Sequence, residues 1–304
     1  MGFETTKVNY SLEKKCQNSS SRHLPDWIRI KVAHGGAREN ISALISKNGL
    51  NTVCSSAKCP NLGECWHRGT ATFMILGDDC TRNCTFCAVK HSKNPSAPDP
   101  EEATKIAKAV ATMKLKHAVI TSVTRDDLED CGAGAFAKVA NAIRRFAPDT
   151  TIELLTPDFM GRKELIMTVL EAYPDILNHN METVRRLTPE IRSGADYDRS
   201  LDFLSYANKN SKGLIKIKSG IMLGLGESEN EIEETIRDIH KTGASMLTIG
   251  QYLRPTRANM PEARFAHPNE FERWKKFSME LGFKSVWSGP LVRSSYMAEE
   301  QNCK

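Results

Sequence analysis

The sequence predicts an α/β fold in which a six-stranded parallel sheet and its helices form a (β/α)6 partial barrel. Apolar runs of strand length alternate with amphipathic stretches of helix length, which is typical of parallel βαβ units with right-handed crossovers. There are six such units, fewer than a closed (β/α)8 barrel contains. The predicted strands are residues 71–76, 117–123, 151–156, 176–179, 214–223 and 245–253.

The helices predicted between these strands are amphipathic, and a last one follows the sixth strand. They occupy residues 101–115, 133–146, 161–172, 200–209, 229–242 and 269–281. A further helix is predicted at residues 39–49, because Gly49 suits the left-handed cap at a helix C-terminus. The chain is therefore expected to consist of an N-terminal extension (1–70), the barrel (71–283) and a C-terminal extension (284–304).

The composition is that of an ordinary soluble globular protein, since 40% of the 304 residues are hydrophobic and 26% are charged. No apolar run approaches the length of about 18 residues that a membrane-spanning helix needs. Residues 1–22 are polar and lack the apolar core of a signal peptide, which favours a cytoplasmic protein. The formal net charge of +5 weakly favours an acidic partner, and no nucleic-acid-binding motif is present.

Six of the nine cysteines form two triplets with different spacings, Cys54-x4-Cys59-x5-Cys65 and Cys80-x3-Cys84-x2-Cys87. Clustered thiolates are soft ligands that select zinc, copper(I) or iron–sulfur clusters. Zinc sites usually use pairs of closely spaced cysteines, whereas three cysteines suit a cubane in which one iron lacks a cysteine ligand. The odd cysteine count and the missing secretory signal argue against disulfides. The spacing thus favours iron–sulfur sites, with zinc as the alternative.

The second triplet follows the first predicted strand directly. In barrels of parallel strands the functional residues lie at the C-terminal ends of the strands. The second triplet is therefore expected at the mouth of the barrel.

The two triplets and the segments around them resemble those of a known family. The second triplet, with Phe86 before its last cysteine, resembles the signature of radical S-adenosylmethionine (SAM) enzymes. The first triplet lies in T-V-C-x4-C-P-N-x-G-E-C-W (52–66) and resembles one branch alone, the lipoyl synthases. The resemblance extends over residues 24–296 and includes TSVTRDDL, NHNMETVRRL, KSGIMLGLGE, TIGQYLRPT and SGPLVRSSY. It implies an incomplete TIM barrel whose mouth is covered by the N- and C-terminal extensions.

The resemblance also implies a radical sulfur-insertion reaction that uses two 4Fe–4S clusters. Cys80, Cys84 and Cys87 would hold the cluster that binds SAM and cleaves it to a 5′-deoxyadenosyl radical. The first triplet would hold an auxiliary cluster, with Ser295 of the R-S-S-Y segment as a further ligand and Arg293 ordering this segment or contacting the cluster. Two SAM molecules would be used per lipoyl group, to activate carbons 6 and 8 of a protein-bound octanoyl-lysine. Each carbon would take one sulfur from the auxiliary cluster, which is consumed.

Other residues are assigned to SAM or to substrate from the strand ends and from the family's SAM pocket. The predicted SAM contacts are Phe86, Thr124, Glu153, Asn178, Arg192, Met222, Gln251 and Leu253. Asn180 and Glu182 are predicted to line the substrate tunnel. Ordinary packing in the core or at the rim is the alternative for most of these side chains, and His179 is interpreted as a satisfied core histidine.

The partners that the resemblance implies are the octanoylated lipoyl-carrier domains of 2-oxoacid dehydrogenase E2 subunits and of the glycine-cleavage H protein. An electron donor such as ferredoxin or flavodoxin and iron–sulfur assembly or carrier proteins are also implied. Neither nucleic acid nor a membrane is expected as a partner.

Two other functions remain as alternatives. One is another radical SAM sulfur-inserting enzyme such as a methylthiotransferase, although the additional nucleic-acid-binding modules of those enzymes are not found. The other is a non-catalytic iron–sulfur or zinc protein for electron transfer or redox sensing, which would not explain six α/β units.

Two departures from the family pattern leave every ligand in place. Ser55 and Ser56 replace acidic residues that are common there, and Cys131 stands where a glycine is usual.

Overall fold

The computed structural model describes residues 24–28, 45, 49–56, 61, 65, 72–296 and 298–301. Cys16, Cys59 and Cys303 lie outside these residues, as does most of the helix predicted at 39–49. Within the described part of the chain, no helix is both long and apolar enough to cross a membrane.

Ten strands occur in the described part of the chain. They are β1 (Asn51–Thr52), β2 (Thr72–Ile75), β3 (Asp79–Cys80), β4 (Lys90–His91), β5 (His117–Ser122), β6 (Thr151–Leu155), β7 (Ile176–Asn178), β8 (Lys216–Leu223), β9 (Met246–Gln251) and β10 (Ser285–Gly289). Eight of them form one sheet in the order β1-β2-β5-β6-β7-β8-β9-β10, and β3 and β4 form a separate parallel pair. β1 is antiparallel to β2, and every later neighbour pair in the large sheet is parallel. β1 and β10 are the sheet edges, so the sheet is open; its closure into a partial barrel stays a prediction.

The helices of the described residues mostly connect consecutive parallel strands. They are α1 (Val53–Ser56), α2 (Glu102–Met113), α3 (Ala133–Phe146), α4 (Lys163–Leu170), α5 (Thr188–Ile191), α6 (Tyr197–Asn210), α7 (Glu229–Lys241), α8 (Pro268–Leu281) and α9 (Ala298–Gln301). Two short 3-10 helices lie at Phe159–Gly161 and Arg185–Leu187.

The core lies between the sheet and its helices. All four residues of β2 are buried, as expected for a parallel strand that is covered on both faces. α7 shows how a helix covers the sheet, because Ile232, Ile236 and Ile239 are buried on one face at the spacing of successive turns. Its N-terminus is fixed by a capping box between Ser228 and Glu231, which satisfies backbone N–H groups that would otherwise lack partners.

The α/β prediction with a mostly parallel sheet is confirmed, and each of the six predicted strands is present. The sequence analysis missed β10, a further parallel strand that pairs with β9 from Ser285 beside Met246 to Gly289 beside Gly250. Only Val286 of its five residues is buried, so β10 shows no apolar run that would predict a strand.

Candidate functional site

The loop that carries the second triplet lies across the carboxyl ends of the first strands of the sheet, as predicted. Cys80 ends β3, and the next residue, Thr81, donates its backbone N–H to the carbonyl of Thr124 just after β5 (2.9 Å). Thr85 donates to the carbonyl of Ile191 (3.0 Å) at the end of α5. These bonds attach the loop to both sides of the mouth, so its sulfurs are positioned by the barrel.

Two backbone N–H groups point at the sulfurs of this loop. Thr124 N lies 3.3 Å from Cys80 Sγ, and Val89 N lies 3.4 Å from Cys87 Sγ. Burial raises the pKa of Cys84, and it raises the pKa of Cys87 to about 12. Because the thiolate is the ligand form, a metal must displace these protons when it binds. The directed N–H groups suit sulfur that carries negative charge in a cluster.

A buried ion-pair network fixes the loop between its first two cysteines. Arg82 donates from Nε to Asp126 and from Nη2 to Asp158, each at 2.7 Å. Asp158 is fully buried and also accepts from Arg199 at 2.8 Å. Burial alone would raise the pKa of Asp158, but its hydrogen bond and charge interaction with Arg82 hold it below its usual range. The side chain of Arg82 therefore holds the loop in one position through two carboxylates.

The first triplet is assembled with the C-terminal segment. Cys54 and Cys65 are both buried, and they line one small pocket together with Ser295. Asn61, which lies between Cys59 and Cys65 in the sequence, donates from Nδ2 to the carbonyl of Leu291 (2.6 Å). Two thiols and a hydroxyl from opposite ends of the chain thus share a pocket, and this donor set fits an iron–sulfur cluster.

No three His, Cys, Asp or Glu side chains of the described residues converge closely enough to hold a single metal ion. A 4Fe–4S cluster distributes its ligands over separate iron atoms, so its ligands do not have to converge on one point.

A cavity of about 360 Å³ connects the two cysteine sites. Its size lies in the range of small-molecule sites. Its lining includes both Cys87 and Cys54. The predicted site residues that line it are Phe86, Asn180, Glu182, Met222, Leu253, Arg293 and Ser295. The structure therefore brings both predicted substrate residues, three of the eight predicted SAM contacts and part of the auxiliary site to one space.

Asn180 and Glu182 occupy one wall of this cavity. Asn180 donates from Nδ2 to Glu182 Oε1 (3.0 Å) and to Ser294 Oγ (2.7 Å). Glu182 has a left-handed φ of 63°, an uncommon conformation for a residue other than glycine. Its backbone is held there by bonds with the carbonyl of Gly220 and the N–H of Met222. Burial raises the pKa of Glu182, with Arg192 and Asn180 acting against the increase.

The other predicted SAM contacts are not part of the cavity lining. They are Thr124, Glu153, Asn178, Arg192 and Gln251. Asn178 donates to Glu153 (2.9 Å) in the core, and Gln251 pairs with the backbone of Arg264 and Ala266. Arg192 is buried and donates to Ser200 Oγ (3.1 Å), while Thr124 anchors the cysteine loop. Their contact with SAM stays a prediction.

His179 is a buried histidine with partners at both ring nitrogens. Nδ1 lies 2.9 Å from the carbonyl of Thr156, and Nε2 lies 3.1 Å from Ser200 Oγ. Burial lowers the pKa of His179 to about 4, and Arg192 acts in the same direction. The interpretation as a neutral core histidine is therefore confirmed.

The sequence analysis missed Lys218, whose side chain is 0% exposed. Its Nζ lies 2.8 Å from Glu153 Oε1 and donates to the carbonyl of Ser294 at 2.6 Å. Although burial alone would raise it, Lys218 and His117 lower the pKa of Glu153 to about 2. The sequence did contain a signal for this pair, namely a lysine within a predicted apolar strand. A lysine is rarely buried in such a strand unless it is paired.

Comparison with known proteins agrees with this site. The family model of the Radical SAM superfamily matches residues 74–239. A lipoyl synthase of Flavobacterium johnsoniae is 50% identical over 276 residues, 91% of this chain and 95% of that protein. A lipoyl synthase of Rubrobacter xylanophilus is 52% identical over 91% of this chain and 86% of that protein, and the mitochondrial lipoyl synthase of Nematostella vectensis is 48% identical over 91% and 94%.

Solved structures show the same fold at much lower identity. The crystal structure of methylornithine synthase matches with a TM-score of 0.57 and 13% identity, over 70% of this chain and 62% of that one. SuiB of Streptococcus suis, bound to S-adenosylmethionine, matches with a TM-score of 0.54 and 12% identity, over 72% and 50%. The family model and the close relatives show that the chain belongs to the lipoyl synthase family of the radical SAM superfamily.

Proposed function

We propose that this protein is a lipoyl synthase that inserts two sulfur atoms, at carbons 6 and 8, into a protein-bound octanoyl-lysine in a SAM-dependent reaction. The observation that carries the proposal is the single cavity that Cys87, Cys54 and Ser295 line together. A substrate in this space lies between the site that would generate the radical and the site that would supply sulfur. Neither an electron-transfer protein nor a redox sensor needs such a cavity.

The two cysteine sites are proposed to hold one 4Fe–4S cluster each. Cys80, Cys84 and Cys87 would hold the cluster that binds SAM, and Cys54, Cys59, Cys65 and Ser295 would hold the auxiliary cluster. When bound, the first group supplies the electron that cleaves SAM and the second supplies sulfide sulfur. The protein contributes the directed N–H groups at Cys80 and Cys87 and the ion pairs of Arg82, which keep the loop in place.

The octanoyl chain is proposed to occupy the middle of the cavity. Apolar side chains that line it include Val53, Ile221 and Val292, and a flexible alkyl chain gains free energy when such surfaces remove it from water. Asn180 and Glu182 provide the polar groups on the wall, which suits orientation of a substrate by a few fixed contacts.

The remaining assignments follow from this function. Residues 1–70 would supply the auxiliary cysteines, residues 71–283 the barrel and residues 284–304 the serine ligand. The partners would be octanoylated lipoyl-carrier domains of E2 subunits and the H protein, an electron donor such as ferredoxin or flavodoxin, and iron–sulfur assembly proteins. The protein would act in the cytoplasm.

The decisive experiment is anaerobic turnover of the reconstituted protein with SAM, dithionite and an octanoyl-lysine peptide, followed by mass spectrometry. We expect the peptide to gain two sulfur atoms, deoxyadenosine to form and iron to be lost from the auxiliary site. Deoxyadenosine without a change in the peptide would show that the substrate is wrong. No deoxyadenosine from protein with two intact clusters would overturn the radical SAM assignment and favour electron transfer.

A further inference from the structure

The C-terminal strap, defined here as residues 291–296, packs closely against the sheet at Gly250. A Cβ atom added to Gly250 on β9 would overlap the carbonyl oxygen of Val292. One added to Gly220 on β8 would overlap Thr248 Oγ1 (2.5 Å) and Asn180 Oδ1 (2.8 Å) and would lie 3.3 Å from Ser294 Oγ. The backbone of the strap at Val292 therefore lies directly against β9, at a separation that Gly250 makes possible.

Three side chains from outside the strap donate hydrogen bonds to it. Asn61 binds the carbonyl of Leu291 at 2.6 Å, and Asn180 binds Ser294 Oγ at 2.7 Å. Lys218 binds the carbonyl oxygen of Ser294 at 2.6 Å. That carbonyl belongs to the peptide group that joins Ser294 to Ser295, so Lys218 fixes the plane of the peptide that carries the Ser295 side chain.

The charge of Lys218 has its own buried support. Glu153 accepts from Lys218 at 2.8 Å and is further held by Asn178 (2.9 Å) and by His117 Nε2 at 3.2 Å. Both members of this ion pair are 0% exposed. Burying two charges carries a large desolvation penalty, so a pair that served only the core would be an expensive substitute for apolar side chains. The second hydrogen bond of Lys218 gives the pair a role at the strap.

We propose that Lys218 is a positioning residue for the auxiliary site, where it holds the peptide before Ser295 so that the serine hydroxyl stays in the pocket of Cys54 and Cys65. The proposal rests on the proposed function, in which Ser295 is a ligand. The hydroxyl is one bond from Cβ, so its position follows the backbone closely. An oxygen ligand on iron in a sulfide cluster is held less firmly than a thiolate, and the protein must therefore supply the positional order.

The test compares iron retention in full-length protein reconstituted with both clusters under anaerobic conditions. Wild type, Lys218→Met, Ser295→Ala and the double variant are transferred into excess chelator, and iron per chain is followed over time. Lys216→Met is the matched control, because Lys216 is an exposed lysine on the same strand. Deoxyadenosine formation from SAM reports the second-triplet cluster separately in each sample.

We expect Lys218→Met to lose auxiliary iron roughly tenfold faster than wild type, the scale of effect usual for residues that orient metal ligands. Ser295→Ala should show the same acceleration, and the double variant should lose iron no faster than Ser295→Ala alone, because both changes act through one ligand. Lys216→Met should resemble wild type. Iron loss from Lys218→Met at the wild-type rate, or additive effects in the double variant, would overturn the proposal.

A second pair of variants covers the case in which Lys218→Met does not fold. Lys218→Met combined with Glu153→Gln removes both charges and leaves no buried charge unpaired. Gly250→Ala displaces the strap without changing any charge. Both should accelerate auxiliary iron loss, and wild-type rates in both would overturn the proposal. Sulfur insertion by the wild type tests the proposed function independently, so accelerated iron loss without sulfur insertion would refute that function alone.

Discussion

The two cysteine sites differ in how the chain builds them. The second triplet occupies eight consecutive positions, Cys80 to Cys87, and its loop is fixed by nearby strand ends and by Arg82. The auxiliary pocket joins Cys54 and Cys65, which precede β2 in the chain, to Ser295, which follows β10. A site on one loop depends on local structure, whereas a site assembled from two chain ends depends on the tertiary contacts that bring them together.

Removal of single cysteines should separate the two sites most strongly. Cys84→Ala is expected to abolish deoxyadenosine formation, because the proposed SAM-binding cluster would lose a ligand. Cys54→Ala should retain SAM cleavage but lose sulfur insertion. Deoxyadenosine and peptide mass, measured on the same reconstituted samples, check both outcomes.

Cys131→Ala is the control for this pair, since Cys131 is a buried cysteine outside both triplets. It should retain both activities. Loss of deoxyadenosine in Cys54→Ala would show that the two sites are not independent, and the comparison drawn here would fail.

The next largest effect is expected at the anchor of the second-triplet loop. Asp158→Asn removes a fully buried carboxylate that pairs with Arg82 and Arg199. Breaking a buried pair in this way should lower the free energy of unfolding by on the order of 3 kcal/mol. The midpoint temperature of thermal unfolding and the rate of SAM cleavage measure the effect. Both values should be lower in the variant than in wild type.

Asp126→Asn provides the matched comparison, because Asp126 binds the same arginine but its side chain is 25% exposed. Because solvent that reaches Asp126 screens this pair, and fully exposed pairs contribute about 1 kcal/mol or less, the loss of stability should be smaller than that of Asp158→Asn. Equal effects of the two changes would mean that Asp158 does not anchor the loop through its burial.

The stability of the folded protein should depend on pH through the buried His179. The pKa of His179 falls from an ordinary 6.5 to about 4 in the folded protein. Between these values the unfolded chain binds more protons, so stability is complete above pH 6.5 and falls as the pH decreases towards 4. The shift corresponds to roughly 3 kcal/mol over the whole window.

Anaerobic unfolding of wild type and His179→Gln between pH 7.5 and 5 checks this expectation. The difference in stability between the two proteins should change in favour of the variant as the pH decreases. Parallel curves for wild type and variant would exclude His179 as the group responsible.

The local site was predictable from sequence to a degree that the assembled site was not. The cysteine spacing and the strand before it located the loop of Cys80 to Cys87 at the mouth, and the structure has it there. Ser295 was assigned only through resemblance, since no local pattern distinguishes this hydroxyl from one on the surface. Lys218 and Glu153 meet only after β6 and β8 are brought together through β7, and spacing along the chain does not encode that distance. β10 was missed for a different reason, because only one of its five residues is buried and it shows no apolar run.

The smallest change in stability is expected at Cys131, which stands where a glycine is usual in the family. Cys131 has a left-handed φ of 48° and is buried. Cys131→Gly would relieve backbone strain of about 1 kcal/mol but lose a comparable amount from burial of the side chain. The free energy of unfolding should therefore change by less than about 1 kcal/mol, as measured by denaturant titration.

Gly132→Ala is the contrasting variant, because at its φ of 85° an added Cβ would overlap the side chain of Leu76 beside the second-triplet loop. It should be clearly destabilising, and a change in Cys131→Gly as large as that in Gly132→Ala would show that the cysteine has a structural role that its neighbours do not explain.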